Sequence, residues 1–553
     1  MMKYLSILLM LLGFMVPAQG QIVITEDISK NTVWEASDEY ILDGLIFVEA
    51  GAELYIEPGT VIKGRAQENI TTGDGASALI VRRDAKIFAE GTATAPIIFT
   101  AEADDVNDPT DLTYEDRGQW GGLIVLGNAT TNQPTTDNQI EGIEGGEGGD
   151  EALYGGNNDA DDSGVIRYVS IRHGGFSISG VSGDEINGLT LGGVGSGTTI
   201  EYVEVFANFD DGYEWFGGTV NTKYLINAFS GDDAFDYDQG FRGKGQFWFS
   251  IQAADRAGRG GEHDGGDDDE TGTPYSTPVI TNATYIGSGA GATVAEGDNN
   301  DRVFAIRDNA GGEYYNSIFT DFAGVGLNIE DIDGAEVDSR QRLEQGDLVF
   351  NNNLWWGIGN NDVASVAPQD FVATYISDEG NANSIADPGL RGISRATDGG
   401  LDPRPSAGSN AGFGAMNLDD NFFTNVSYYG AFGNDNWALG WTALDQYGYL
   451  SDEIVTSNED EAGIPSAIAL NQNYPNPFNP TTSISFTLPQ AQQVTLKVYN
   501  LLGREVATLA NRERFSAGLN TLSFDAANLS SGIYIYRLTG ANVTLTRKMT
   551  LIK

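Results

Sequence analysis

Glu201-Tyr202-Val203-Glu204-Val205 and Asp210-Asp211-Gly212-Tyr213-Glu214-Trp215 return as Lys223-Tyr224-Leu225-Ile226-Asn227 and Asp232-Asp233-Ala234-Phe235-Asp236-Tyr237. The offset is 22 residues throughout, from Tyr202 to Tyr224 and from Asp211 to Asp233, with no gap. That length holds three short strands and three turns, one coil of a parallel β-helix. In such a solenoid each unit buries its apolar side only against the next, so repetition is a physical requirement. Two hairpins with similar turns would also repeat, but gap-free agreement across a whole unit favours stacking. The spacing predicts an all-β chain built on a right-handed parallel β-helix.

A looser repeat precedes it. Val48, Gly51-Ala52, Leu54 and Ile56 return as Val81, Asp84-Ala85, Ile87 and Ala89 at an offset of 33, and Gly59 to Gly91 falls one residue short. An indel in a turn gives that slip, and Gln67–Ser77 reads as a loop thrown out between stacked units. Glycine, 72 of 553 residues without a three-residue period, is well above the usual ~7% and fits many tight turns between short strands.

Composition then excludes several functions. A formal charge of −49 repels nucleic acid and anionic membranes and points to divalent cations, cationic surfaces or simple solubility. There is no cysteine, hence no disulfide and no thiolate metal site. With only His173 and His263, a His-rich zinc site is excluded, and any Ser–His–Asp triad must use one of the two. His173 follows the strand-like run Val169–Arg172 and reads as a turn or strand-end residue. The Gly-rich runs Gly142–Gly149 and Gly192–Gly197 lack the Lys and following helix of a phosphate-binding loop and belong to turns.

Both termini carry addresses. Lys3, an apolar run from Leu5 to Val16 and Ala18-Gln19-Gly20 form a signal peptide over residues 1–20, with the mature chain starting near Gln21. No other apolar stretch approaches the ~20 residues of a membrane span. At the far end, Asn471-Gln472-Asn473-Tyr474-Pro475-Asn476-Pro477-Phe478-Asn479-Pro480 must be extended, because its prolines fix φ and remove donors. Alternating segments follow: Ile484/Phe486/Leu488, Val494/Leu496/Val498, Leu519/Leu522/Phe524, Ser531–Leu538 and Arg547–Lys553. Period-two apolarity between turn residues predicts a small Ig-like β-sandwich. Ser451–Ser466, with Asp452, Glu453, Glu459, Asp460 and Glu461, reads as acidic linker. The expected organisation is signal peptide 1–20, β-helix 21–450, linker 451–469 and terminal sandwich 470–553.

The NYPNPFNP run, Val498–Val506 and Gly532-Ile533-Tyr534 with its basic final strand resemble the C-terminal sorting domain of type IX secretion cargo in the Bacteroidetes group. That resemblance implies a secreted or cell-surface protein, passing through the periplasm and handled by the type IX machinery through residues 470–553. Gly118–Ala129, Ser163–Val169, Asn187–Gly195, Ile306–Ala310 and Tyr429–Gly433 with Trp437 and Trp441 resemble a family of exported bacterial β-helix proteins distantly related to pectate lyases. This likeness is specific as to fold and nearly silent on activity. The Trp-rich segment Phe422–Leu450 is expected to cover the open C-terminal end of the solenoid, where strand edges would otherwise be exposed.

The 22-residue register makes a chemical demand. Successive coils lie about 4.8 Å apart, so Asp210 falls over Asp232, Asp211 over Asp233 and Glu214 over Asp236, with Asp238 nearby. Carboxylates at that spacing repel unless a cation or donors neutralise them, and clustered hard oxygens suit Ca²⁺. Turn-forming Asp residues pointing into water, or a catalytic acidic pair, are the other readings. Asp159-Ala160-Asp161-Asp162-Ser163-Gly164 opens like a calcium loop but has Ser170 at the twelfth position and strand-like residues after it, so it is no EF-hand. Asp159 and Asp161 are a weaker second candidate. The run from Glu262 to Glu270 is a similar acidic loop that could bind cations loosely but reads rather as a mobile solvated insertion.

The preferred function is a non-catalytic protein of adhesion, ligand binding or extracellular structure. The alternative, implied by the fold likeness, is a calcium-dependent polysaccharide lyase or other carbohydrate-active enzyme, with Arg242 or Lys244 as proton-abstracting base and Tyr213, Trp215, Tyr237 and Trp248 stacking on sugar rings. Those aromatics would equally serve as an internal packing ladder.

Overall fold

The computed structural model describes residues 20–451 except 144–151, 178–184, 267–269, 294–299 and 336, and residues 469–553 except 471, 472, 474, 475, 477, 489–491, 501–503, 516, 517 and 541–543. Residues 1–19 of the expected signal peptide and 452–468 of the expected linker lie outside the described residues. The chain divides into two units, residues 1–451 and 452–553.

The first unit is a parallel β-helix. In the strand Thr199–Phe206, Thr199 pairs in parallel with Asn221 and Val203 with Leu225, while Tyr213 pairs with Phe235 and Trp215 with Tyr237. The 22-residue register is thus the coil repeat. Val48 pairs with Val81 and Leu54 with Ile87, so the 33-residue offset is a longer coil with Gln67–Ser77 looped out. Alternate residues point inward, and Leu191, Tyr213, Trp215, Phe235, Tyr237, Trp248 and Tyr285 stack along the axis as one core. Trp215 and Trp248 lie 5.0 Å apart at 6°. Tyr213, Trp215, Tyr237 and Trp248 are fully buried, so the packing role holds and sugar stacking by these four does not.

From the strand Gly164–Arg172 onward, the coils turn one corner on a single left-handed residue. Tyr168, Tyr202, Tyr224, Phe247, Asn282, Asn316 and Asn352 all have φ between 49° and 60°. A non-Gly residue there costs roughly 1–2 kcal/mol, offset here in two ways. In the earlier coils the rings stack on one another at 4.4, 4.3 and 5.0 Å. In the later coils asparagine, which tolerates this conformation, forms a side-chain ladder in which Asn352 Nδ2 donates to Asn316 Oδ1 and Asn316 Nδ2 to Thr281 Oγ1.

The Trp-rich segment does not cover the end of the solenoid. It runs along this ladder as a lateral strap. Asn316 Nδ2 donates to the Met416 carbonyl and Asn282 Nδ2 to that of Tyr428. Trp437 meets Tyr224 edge-on at 5.2 Å, and Trp441 meets Tyr168 at 5.6 Å. Buried Glu204 then accepts the Ala443 and Leu444 amides at 2.6 and 3.1 Å. The stacked rings and amide row present a better apolar and hydrogen-bonding surface than an end does. The last coils are closed instead by the short helices Val363–Val366 and Asp370–Ile376, whose Val366, Val372 and Ile376 enter the core.

The second unit is an antiparallel sandwich. Thr481–Leu488 pairs with Gly518–Asp525 and with Ala469–Leu470, while Gln492–Asn500 lies between Glu505–Phe515 and Gly532–Thr539, with Thr544–Leu551 at the edge. Ile484, Phe486, Leu488, Val494, Leu496, Val498, Phe524, Tyr536 and Met549 form its core, the alternation visible in the sequence.

Candidate metal centre

One sheet of the solenoid includes Leu189–Gly192, Tyr213–Phe216, Phe235–Asp238 and Gly261–Asp264 in parallel order. Strand alternation sends Tyr213, Trp215 and Tyr237 into the core and therefore Glu214 and Asp236 outward, one over the other. Tyr237 pairs with His263, which puts Glu262 in line with Asp236. The turns before these strands add Asp210, Asp211, Asp232 and Asp233. Three oxygen triads result, with the ligand atoms of each within 4.8 Å of one another: Asp210/Asp211/Asp232, Asp211/Glu214/Asp236 and Asp233/Asp236/Glu262. Asp211 and Asp236 are each shared by two.

The bank is only partly neutralised. Asp211 and Glu214 are 9% exposed and Asp233 1%. Asp211 Oδ1 accepts the Asp233 amide at 2.8 Å. Arg259 reaches Asp233 at 3.3 Å and Glu262 at 2.5 Å, and Arg307 reaches Glu262 and Asp264 at 2.8 Å each. Burial first, and the neighbouring carboxylates second, push Asp210, Asp211, Glu214, Asp233 and Asp236 well above the usual carboxylate range. Asp264 is pushed up by burial to about 7 even against Arg307. Buried oxygens at this face without a hydrogen-bond partner include Asp236 Oδ1 and Asn187 Oδ1. The Asn187 amide nitrogen lies between Glu141 and Glu214. The donor set is all oxygen, the chemistry of a hard cation.

The other predicted residues lie elsewhere. Asp238 is buried and caps the Gln239 amide without joining a triad. Among the described residues Asp159 and Asp161 join no triad either. Asp159 accepts the Thr130 amide and pairs with Arg242 at 3.0 Å, while buried Asp161 meets Asn128 and Ser163, so both brace a turn. Arg242 is therefore held by Asp159 and Lys244 by Asp420, and neither faces the carboxylate bank. His173 has φ 57° just past its strand and its Nδ1–H donates to the Asp116 carbonyl, a corner residue as expected.

The acidic run was misread at its start. Gly261–Asp264 is a paired, largely buried strand rather than a mobile insertion, and residues 267–269 lie outside the described residues. Asn187, Arg259 and Arg307 were missed, and Glu262 and Asp264 were read only as part of a loose acidic loop. A signal existed: Asp236-Tyr237-Asp238 returns as Glu262-His263-Asp264 at an offset of 26, hidden by four inserted residues.

The chain is thus a parallel solenoid with a carboxylate bank on one face, followed by a separate antiparallel sandwich with its own core. The chain belongs to the family of pectate-lyase-like β-helix domains, which it matches over residues 26–390. Residues 472–553 match the secretion system C-terminal sorting domain, so the protein is exported by type IX secretion to the cell surface or extracellular space. No curated protein matches the chain. Among the described residues no helix is long and apolar enough to cross a membrane.

Proposed function

We infer that this is a non-catalytic surface or extracellular protein of adhesion, ligand binding or structural type, whose solenoid is held together by Ca²⁺ on the Asp210–Glu262 face. The observation that carries this reading is the set of three triads sharing Asp211 and Asp236, with a partnerless buried oxygen on Asp236. A carboxylate bank so far from its usual ionisation range needs protons or a cation in the folded state. Two features weigh against a lyase. Arg242 and Lys244 are tied to Asp159 and Asp420. Arg307, which does adjoin the carboxylates, is held to the protonated state by Asp264 and Glu262 against the opposing effect of burial, so it makes a poor base. Thermal melting with excess Ca²⁺ and with chelator tests the metal, and identical curves would overturn it. Incubation with acidic polysaccharides, followed by absorbance of unsaturated products, tests the absence of catalysis. Product formation that depends on Ca²⁺ would replace this reading with the lyase.

A further inference from the structure

The sorting sandwich, residues 470–553, is charged oppositely to the chain that precedes it. Residues 470–553 hold eight Lys or Arg against Glu505, Glu513 and Asp525, a net of +5. The preceding 469 residues hold the remaining 22 basic and 76 acidic side chains, a net of −54, which together give the chain's −49. In the sorting unit part of this excess is ordered on one surface. The central strands Gln492–Asn500 and Gly532–Thr539 bury Val494, Leu496, Val498, Tyr534, Tyr536 and Leu538, so alternation turns Lys497, Tyr499, Ile533, Ile535 and Arg537 to the outer face. Lys497 stands directly opposite Arg537, and Ile535 directly opposite exposed Lys548 on the edge strand. Like charges placed opposite each other are destabilising in a sheet. Here Lys497 is braced by Glu505 at 2.8 Å, and Arg537 lies 5.0 Å over the Tyr499 ring, which holds both side chains in place.

We propose that this outer face, centred on Lys497, Arg537 and Lys548 with Tyr499 and Ile533 between and beside them, is the surface read during export, and that its partner is a carboxylate-rich groove on a protein of the secretion machinery. The proposal rests on the assignment of residues 472–553 as a sorting domain. An anionic groove attracts this sandwich and repels the net negative charge of the chain that precedes it, so the label is presented first and the solenoid is kept out of the site. A protein groove fits better than a lipid surface because the face is a rigid sheet with a fixed Arg–Tyr stack, a geometry suited to specific docking.

The test uses the full chain in producing cells. Arg537→Glu with Lys548→Glu should lower the released or surface-borne protein at least tenfold and leave it in the periplasm, with an unchanged melting curve. Arg537→Lys with Lys548→Arg should be exported normally. If reversal disturbs the fold, Arg537→Gln with Lys548→Gln gives the same reading at lower cost to the sheet. Normal export of a folded reversed or neutralised variant overturns the proposal. In vitro, the purified chain should bind immobilised poly-glutamate in a salt-sensitive way that the reversed variant loses. Binding to phosphatidylglycerol vesicles but not to poly-glutamate would assign the face to a membrane and overturn the groove. A chain lacking residues 470–553 separates the two levels. If it is still exported, the sorting assignment itself fails; if it is retained while the reversed variant is exported, only the face fails.

Discussion

Asp211 and Asp236 decide the chemistry of the solenoid because each serves two triads. Asp211→Asn with Asp236→Asn should raise the melting temperature in chelator, since two negative charges leave a repelling bank, and should abolish the gain from Ca²⁺. That gain in the unsubstituted protein is about 2.7 kcal/mol when free Ca²⁺ is a hundred times its dissociation constant. Opposite signs with and without Ca²⁺ are the signature; a uniform loss of stability would mean that the carboxylates serve only local turns. The same groups set a pH dependence. Their folded-state pKa values are raised, so each contributes stability that is present at low pH and lost as pH rises through the folded value. Asp264, at about 7, titrates between pH 8 and 6.5. In chelator, lowering pH across that window should raise the melting temperature, while the calcium increment shrinks as protons compete for the ligands. From about pH 7.5 downward the two histidines pull the other way, because their unfolded pKa is about 6.5. His173 and His263 are lowered by burial to about 4 and about 3, so their contribution is lost as pH falls. The other raised carboxylates of the bank add to Asp264, so a melting temperature in chelator that falls from pH 8 to 6.5 would contradict the buried-carboxylate account. The stacking of Asp210, Asp211 and Glu214 over Asp232, Asp233 and Asp236 was legible, because a fixed 22-residue offset becomes a fixed spatial register. Glu262 was not, because four inserted residues broke the offset, and Arg259 and Arg307 were not, because they come from turns and strands outside the repeat.

At the scale of elements, the ladder and strap explain one another. Tyr168, Tyr202, Tyr224 and Phe247 occupy strained corners and are tolerated because they stack and because Trp437 and Trp441 close over them. The repeated tyrosine at an offset of 22 was visible in the sequence, but its left-handed backbone was not. Neither was the docking of a segment more than 200 residues away, since no local pattern encodes which flank of a solenoid receives it. Trp441 is 2% exposed, and Trp441→Ala should cost roughly 3–5 kcal/mol. Hydrogen exchange locates the loss. Amides of residues 437–450 should exchange faster, while the paired strands Thr199–Phe206 and Asn221–Ala228 keep most of their protection. Equal loss in strap and strands would show that the strap is part of one cooperative unit with the coils.

At the scale of the whole molecule, the chain combines a body that stabilises itself by stacking with a label that has its own core. The solenoid core around Leu191, Trp215 and Trp248 and the sandwich core around Ile484, Leu496 and Tyr536 are separate clusters in separate units. Removal of residues 470–553 therefore takes no side chain from the solenoid core. The truncated protein should melt as the full chain's solenoid does, with the same response to Ca²⁺, yet remain in the periplasm. Fractionation of producing cells checks the second point and calorimetry of the purified fragment the first. A fragment that is unfolded would show that the solenoid depends on the sandwich for stability. A folded fragment that still reaches the surface or medium at normal levels would show that the address lies elsewhere in the chain. Retention of a folded, calcium-responsive solenoid is the expected outcome, because burial and register make the body complete while its net charge leaves the docking face of the label as the cationic part of the molecule.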